Sequence, residues 1–316
     1  MQKNAALVKV ENLYRYYDRH CAVQDLGFTL EKGEILGLLG PNGAGKTSTL
    51  QMISGNLAPS AGEILIDGVD ILDEPLEARA AIGYLPEQPP LYPDLTVDEY
   101  LDYCAGLHRL GSKARRPARE AAKARCGLKD EGRRLIGNLS KGYRQRVGIA
   151  QAIIHSPTVV ILDEPTVGLD PIQIREIRAL IAELGREHGV ILSTHILPEV
   201  QAVCSRVLII HRGRQVFAES LAGLAARMQA GSLILECRET PPLKDLKSVA
   251  GVEDVEQLDP GRVRVRYAPG SDPTEDIAAR ALKAKWGLKA LTPEHKSLEQ
   301  IFVELTTADE AAETRP

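Results

Sequence analysis

The sequence contains no long apolar run. Its cleanest stretches, VVIL at 159–162 and VLII at 207–210, fall far short of the roughly 18 apolar residues that a membrane-spanning helix needs. The opening MQKNAALVKVENLY holds no apolar core of signal-peptide length, so no export leader is expected. Cysteine is sparse and scattered. Cys21, Cys104, Cys126, Cys204 and Cys237 are odd in number and form no CxxC pair. That argues against a disulfide framework or a zinc site, and it fits a reducing cytosol in which all five act as small hydrophobes. A large excess of one charge is missing too. The net charge is -4 with 26% charged residues, so no basic surface for nucleic acid is indicated. Internal repeats are absent. What remains is a soluble chain of 316 residues, long enough for two domains with a core each.

The patterning of the chain is that of an α/β protein. ALVKVENLYRYY and VQDLGFTLEKGE read as strands around a turn at Lys32–Gly33, and EILGLLG as a buried strand. A glycine-rich turn and a helix over Lys46 to Ser54 follow. GEILIDG alternates as a strand. TVDEYLDYCAGLHRL opens a helical stretch on a Thr N-cap. The basic SKARRPAREAAKARCGL reads as a helix with a solvated face, and a further helix spans Tyr143 to His155. TVVILDEP and GVILSTH are short apolar strands on either side of the amphipathic helix IQIREIRALIAELGRE. Alternating strands and helices imply a mostly parallel sheet covered on both faces. LAGLAARMQAG is expected to close this domain as a helix. Beyond it the pattern is α+β: strands in SLILECRE, VEDVEQLD and RVRVRYAP, helices in TEDIAARALKAKWG and SLEQIFVEL, in a split βαβ arrangement. The acidic tail 307–316 reads as disordered.

GPNGAGKT, Gly40 to Thr47, fits G-x-x-x-x-G-K-[ST] between a strand and a helix. Gly40, Pro41, Asn42, Gly43, Ala44, Gly45, Lys46, Thr47 and Ser48 make a phosphate-holding loop. Its backbone N–H groups converge on one concavity at a helix N-terminus. Lys46 reaches the β- and γ-phosphates of ATP, and the Thr47 hydroxyl ligates Mg²⁺. In VVILDEP, Asp163 ends a buried strand, where a carboxylate is costly without a cation to serve. Asp163 therefore reads as a Mg²⁺ carboxylate, and Glu164 as the group that orients and deprotonates an attacking water. His195, in STHIL, lies beyond a neighbouring strand at the same sheet end, placed to hold the γ-phosphate and the water.

The ordered set GPNGAGKT, LSKGYRQR, LDEPTVGLD and STH resembles the ATP-binding subunit of ABC transporters over residues 5 to 225. GYLPEQPPLYPDLT and SLEQIFVEL resemble the exporter type, the group that serves drugs, lipids, polysaccharides and gliding motility. The resemblance implies a P-loop NTPase ABC ATPase fold, α/β, with a mostly parallel sheet core, an antiparallel β subdomain and a helical subdomain. It places the ATP-binding domain at 5–228, with the helical subdomain at about 89–154 and a small α+β domain at 229–306. It implies that Tyr17 stacks on adenine with Val23 packing nearby, that Asp170 lies in a loop linking two ATP sites, and that Glu87 or Gln88 senses the metal. It also implies two partners: a second ATPase subunit, whose nucleotide is covered by Ser140 and Gly142, and a multispan permease at the inner membrane face. The proline-rich segment from Glu87 to Thr96 is the expected permease contact. NLSKGYRQR carries Lys141 and Tyr143 where glycine and glutamine are usual. Lys141 adds a cation near the expected phosphate, while Ser140 and Gly142 retain the hydroxyl and the close backbone approach.

A competing reading is a soluble ATPase of the same type acting on ribosomes or DNA. Such chains carry tandem ATPase domains, coiled-coil insertions or zinc insertions. This one has a single motif set and neither kind of insertion. A purely structural nucleotide-binding protein is disfavoured by the presence of both Glu164 and His195.

Overall fold

The computed structural model describes residues 6–223, 229–268 and 270–295, in two compact units, Met1–Leu221 and Ala222–Pro316. In the first, β1 (Val8–Tyr17) and β2 (His20–Leu30) form a hairpin. β3 (Ile35–Leu39) follows and leads through a glycine-rich turn into α1 (Lys46–Ile53). β4 (Ala61–Ile66) and β5 (Val69–Asp70) complete an antiparallel sheet of order β2-β1-β4-β5. After α2 (Pro75–Ala80) and β6 (Ile82–Leu85), the chain leaves the sheets for α3 (Val97–Leu107), α4 (Ser112–Arg125) and α5 (Lys141–Ile153). It returns as β7 (Val159–Asp163), α6 (Pro171–Leu184), β8 (Gly189–Thr194), α7 (Leu197–Val203), β9 (Arg206–His211) and β10 (Arg214–Ser220).

The second sheet has the order β10-β9-β3-β8-β7-β6, parallel throughout except for β10. Every residue of β3, β7 and β8 is buried, as the interior of a two-faced parallel sheet requires. Parallel strands end on one side. The C-terminal ends of β3, β6, β7 and β8 therefore deliver the glycine turn, the Glu87 loop, Asp163–Glu164 and His195 to a single edge. The class is the one expected, a mostly parallel core with an antiparallel subdomain and a helical segment.

Local chemistry sets the helix ends. Thr96 accepts from the Glu99 N–H, and the Glu99 carboxyl accepts from the Thr96 N–H at 2.8 Å, a reciprocal cap on α3. Ser140 caps α5, which starts two residues earlier than the pattern implied. The basic α4 is more than a solvated face. Lys123 is buried, with its ammonium 2.5 Å from Asp98 and 3.2 Å from Glu120. Arg119 lies 2.5 Å from Asp102. These contacts pin α4 to α3, since Asp98 and Asp102 lie one helical turn apart on α3.

The second unit holds β11 (Gln229–Cys237), a short helix α8 (Leu243–Lys247), β12 (Val252–Asp259), β13 (Arg262–Tyr267), α9 (Thr274–Lys283) and β14 (Leu288–His295). The sheet order is β12-β13-β11-β14 with all neighbours antiparallel. Two βαβ crossovers are thus interleaved, the split βαβ arrangement. Leu233, Leu235, Val263, Val265, Ile277 and Trp286 form its core. The sequence pattern did not mark β14 as a strand, because it carries Pro293. Proline is tolerated there because β14 is an edge. The helix expected over LAGLAARMQAG is corrected at its end. Residues 224–228 lie outside the described set, and from Gln229 the backbone is already strand. SLEQIFVEL and the acidic tail also lie outside it. Among the described residues, no helix is long and apolar enough to cross a membrane.

Candidate functional site

The glycine turn wraps an open cleft of about 360 Å³ lined by Ala22, residues 42–48, Glu87, Glu164, Val167 and His195. Gly45 sits at φ 103°. A Cβ there would lie 2.5 Å from the Ala22 carbonyl oxygen, so only glycine lets the loop close onto β2. No side chain caps α1, so the N–H groups of its first turn are open to an anion. Lys46 is buried. Its ammonium donates to the carbonyls of Gly40 at 2.8 Å and Pro41 at 3.2 Å, and lies 3.5 Å from the Glu164 carboxylate.

Glu164 forms part of the cleft wall, and its neighbour Asp163 lies beneath it. Asp163 is fully buried, and neither of its oxygens completes a hydrogen bond. Burial raises its pKa; the nearby Ser193 and Thr47 hydroxyls pull the other way, and Glu164 and Glu87 raise it further. A buried acid with both oxygens unmatched, next to a hydroxyl on the glycine loop, fits a cation. No group of three or more metal-ligating side chains exists among the described residues. One carboxylate beside one hydroxyl suits an ion that takes its other ligands from phosphate and water.

Glu164 adopts φ 48°, left-handed backbone for a residue with a side chain, at a cost on the order of 1–3 kcal/mol. Its N–H donates to the Ser193 carbonyl at 3.1 Å, and its own carbonyl accepts from Val167. The His195 Nδ1 lies 3.1 and 3.0 Å from the two Glu164 oxygens. Glu164 is therefore bracketed by the Lys46 ammonium and the His195 imidazole. That is a carboxylate held in one orientation at the cleft wall, a geometry suited to accepting a proton.

The remaining residues divide by position. Glu87 lines this cleft; Gln88 instead faces a second hollow with Glu87, Pro89, Leu91, Lys141 and Arg144. Tyr17 is partly exposed at the rim, its hydroxyl 3.3 Å from Ser48 Oγ and its ring under the Arg15 guanidinium at 4.6 Å. Tyr16 turns elsewhere, stacked on Tyr14. Val23 does not line the cleft: it is fully buried in the core beneath it, and Ala22 supplies the lining instead. Ser140 and Asp170 act as caps. Ser140 accepts from the Tyr143 N–H at 3.4 Å, and Asp170 from those of Ile172 and Gln173 at 3.0 and 2.9 Å. Neither of them, nor Gly142, lines the Lys46 cleft. The Lys141 ammonium lies over Gly168, where a Cβ would come within 2.1 Å of it. Glu199 was not foreseen. It is buried and accepts hydrogen bonds from Thr166 and Thr194. An acid four residues after His195 carries no sequence signal by itself.

A family model described as ABC transporter matches residues 23–167. The ABC transporter ATP-binding protein NatA of Bacillus subtilis is 42% identical over 205 residues, which cover 64% of this chain and 83% of that one. The linearmycin resistance ATP-binding protein LnrL of the same organism is 32% identical over 308 residues, covering 95% and 98%. Among solved structures, a dimeric post-hydrolysis ATP-binding cassette bound to ADP and Pi superposes with a TM-score of 0.62 at 26% identity. It covers 68% of this chain and 98% of that one.

Proposed function

The chain belongs to the ATP-binding proteins of ABC transporters, and from that premise we propose that it energises export through a separate membrane permease. Hydrolysis of ATP is the activity of the family. The observation that carries the assignment to these residues is Glu164, strained at φ 48° and bracketed by Lys46 and His195 at the glycine-loop cleft.

Lys46 and the open N–H groups at the start of α1 bind the β- and γ-phosphates. The Thr47 hydroxyl and, beneath it, Asp163 would hold Mg²⁺, with Glu87 on the cleft wall. The ion held by these residues would supply neutralisation of charge on the phosphate oxygens. Glu164 takes a proton from the attacking water, and His195 keeps its carboxylate turned toward the cleft. Tyr17 at the rim offers a face for adenine.

Ser140 and Gly142 stand on another surface, so we assign them to the nucleotide of a second subunit, in a head-to-tail pair. ATP then bridges the two subunits, and hydrolysis releases them, a differential-affinity switch that a permease can harness. Linearmycin resistance, named for a relative matched over nearly its whole length, favours export. The exposed Tyr92, edge-on to Tyr100 and Tyr103, supplies an aromatic face for the permease. On this reading the chain works at the cytoplasmic side of the membrane.

Glu164→Gln tests the assignment. Turnover is expected to fall by about 10²- to 10⁴-fold, while ATP-dependent dimerisation persists. Turnover equal to that of the unsubstituted chain would remove Glu164 from the chemistry.

A further inference from the structure

The loops bearing Glu164 and His195 are joined at two levels already described: the backbone bond from Glu164 to Ser193, and the contact between the two side chains. A third link lies beneath them, away from the cleft. Glu199, on α7, is 1% exposed. One of its oxygens accepts from Thr166, two residues past Glu164. The other accepts from Thr194, one residue before His195, at 2.7 Å. Thr166 and Thr194 are themselves buried. The Thr194 oxygen also accepts from the Ile196 N–H at 3.0 Å, so the turn around His195 is closed from both sides. No ion pair of Glu199 exists among the described residues. Its partners are two hydroxyls, one from each loop.

A buried carboxyl with no cation is an expensive way to fill space. An apolar side chain would pack α7 against the sheet with less penalty. What the carboxyl adds is two acceptors at a fixed separation, one for each loop. Thr166 belongs to the turn in which Glu164 adopts left-handed backbone, a conformation that persists only where its surroundings hold it.

We infer that Glu199 is a positioning residue for hydrolysis, a clamp that fixes the Glu164 turn and the His195 turn relative to one another by tying Thr166 to Thr194. The inference rests on the assignment of Glu164 and His195 to the chemistry. It predicts that the clamp governs the rate of the chemical step and leaves nucleotide binding alone, because Lys46 and the glycine loop hang from β3 and α1.

The test is steady-state ATP turnover by the full chain. Glu199→Ala is expected to lower kcat by about ten- to a hundred-fold through misplacement of the reacting groups, with KM for ATP within about two-fold of its original value. Glu199→Gln restores most of the rate, since its amide oxygen still accepts from Thr194 and its NH₂ donates to Thr166. Adding Thr166→Val and Thr194→Val to Glu199→Ala brings little further loss, as expected for members of one unit. If Glu199→Ala does not fold, the Thr166→Val/Thr194→Val pair, similar in shape, replaces it with the same expected fall in kcat. The clamp is overturned if the folded variant keeps its original kcat, if KM rises in step with the loss, or if the Gln variant is no better than Ala. Glu164→Gln run alongside separates the two ideas. Full turnover there removes the assignment of Glu164, whereas loss there together with full turnover in Glu199→Ala removes the clamp alone.

Discussion

Two helices in this chain begin at loops that the proposed mechanism aims at phosphate, and they begin differently. α1 starts after Gly45 with no side-chain cap, and its open N–H groups face a cleft that also contains Lys46, Glu164 and His195. α5 starts after Ser140, whose hydroxyl already occupies the Tyr143 N–H. Its loop packs against its own chain, with the Gln173 side chain over Gly142 and the Lys141 ammonium over Gly168. The first is a site assembled within one chain. The second is a capped loop away from that cleft, and in the proposed mechanism it meets an anion only when another molecule brings one. In the proposed mechanism the difference becomes a division of labour, with binding assigned to α1 and closure to α5.

Substitutions at the two loops separate these roles. Lys46→Ala is expected to weaken ATP binding to the monomer by about 100-fold or more, because a charge-assisted phosphate contact is lost and Glu164 is left without its cation; equilibrium binding with a fluorescent ATP analogue measures it. Ser140→Ala removes a helix cap worth about 1 kcal/mol. It should leave monomer affinity for ATP unchanged while weakening ATP-driven dimerisation, which size-exclusion chromatography follows. Equal loss of monomer affinity in both variants would erase the distinction.

The far end of α5 carries its own pH dependence. His155 donates to the Ile82 carbonyl at 3.0 Å and stacks on His108 at 3.6 Å. Burial, with a contribution from His108, lowers its pKa from 6.5 to about 4. Between those values the unfolded chain binds a proton that the folded one does not, so stability falls as pH drops through the window. His155→Gln should flatten that fall in thermal midpoint. The smallest effect is expected at Lys141. Lys141→Gly leaves monomer ATP affinity unchanged and weakens ATP-driven closure by a few-fold, on the order of a surface charge contact.

How much of this was legible in the sequence follows from what kind of interaction does the work. That the glycine loop, Asp163, Glu164 and His195 share one sheet end is read directly, because buried apolar strands ending in polar residues leave few places for those side chains. The choice between Glu87 and Gln88 is not local. It depends on the direction of the loop after β6, which sets Glu87 on both the cleft and the neighbouring hollow and Gln88 on the hollow alone. Val23 lies in the core while Ala22 lines the cleft, because the packing of β2 and not motif position decides which neighbour is exposed. Arg119 and Lys123 looked like solvent-facing charge until the pairing of α3 with α4 brought Asp98 and Asp102 against them. Glu199 was hidden for the same reason, since its partners lie 33 and 5 residues away. β14 was hidden by a proline that only an edge strand accepts.

The central claim is that a complete ATP site draws on two chains. Mixing Lys46→Ala with Ser140→Arg protein tests it most directly, each variant being inactive alone. In a head-to-tail pair of the two, one composite site carries both defects and the other carries neither. The account predicts that ATP turnover of the mixture rises well above the sum of its parents. Turnover no greater than that sum would contradict it.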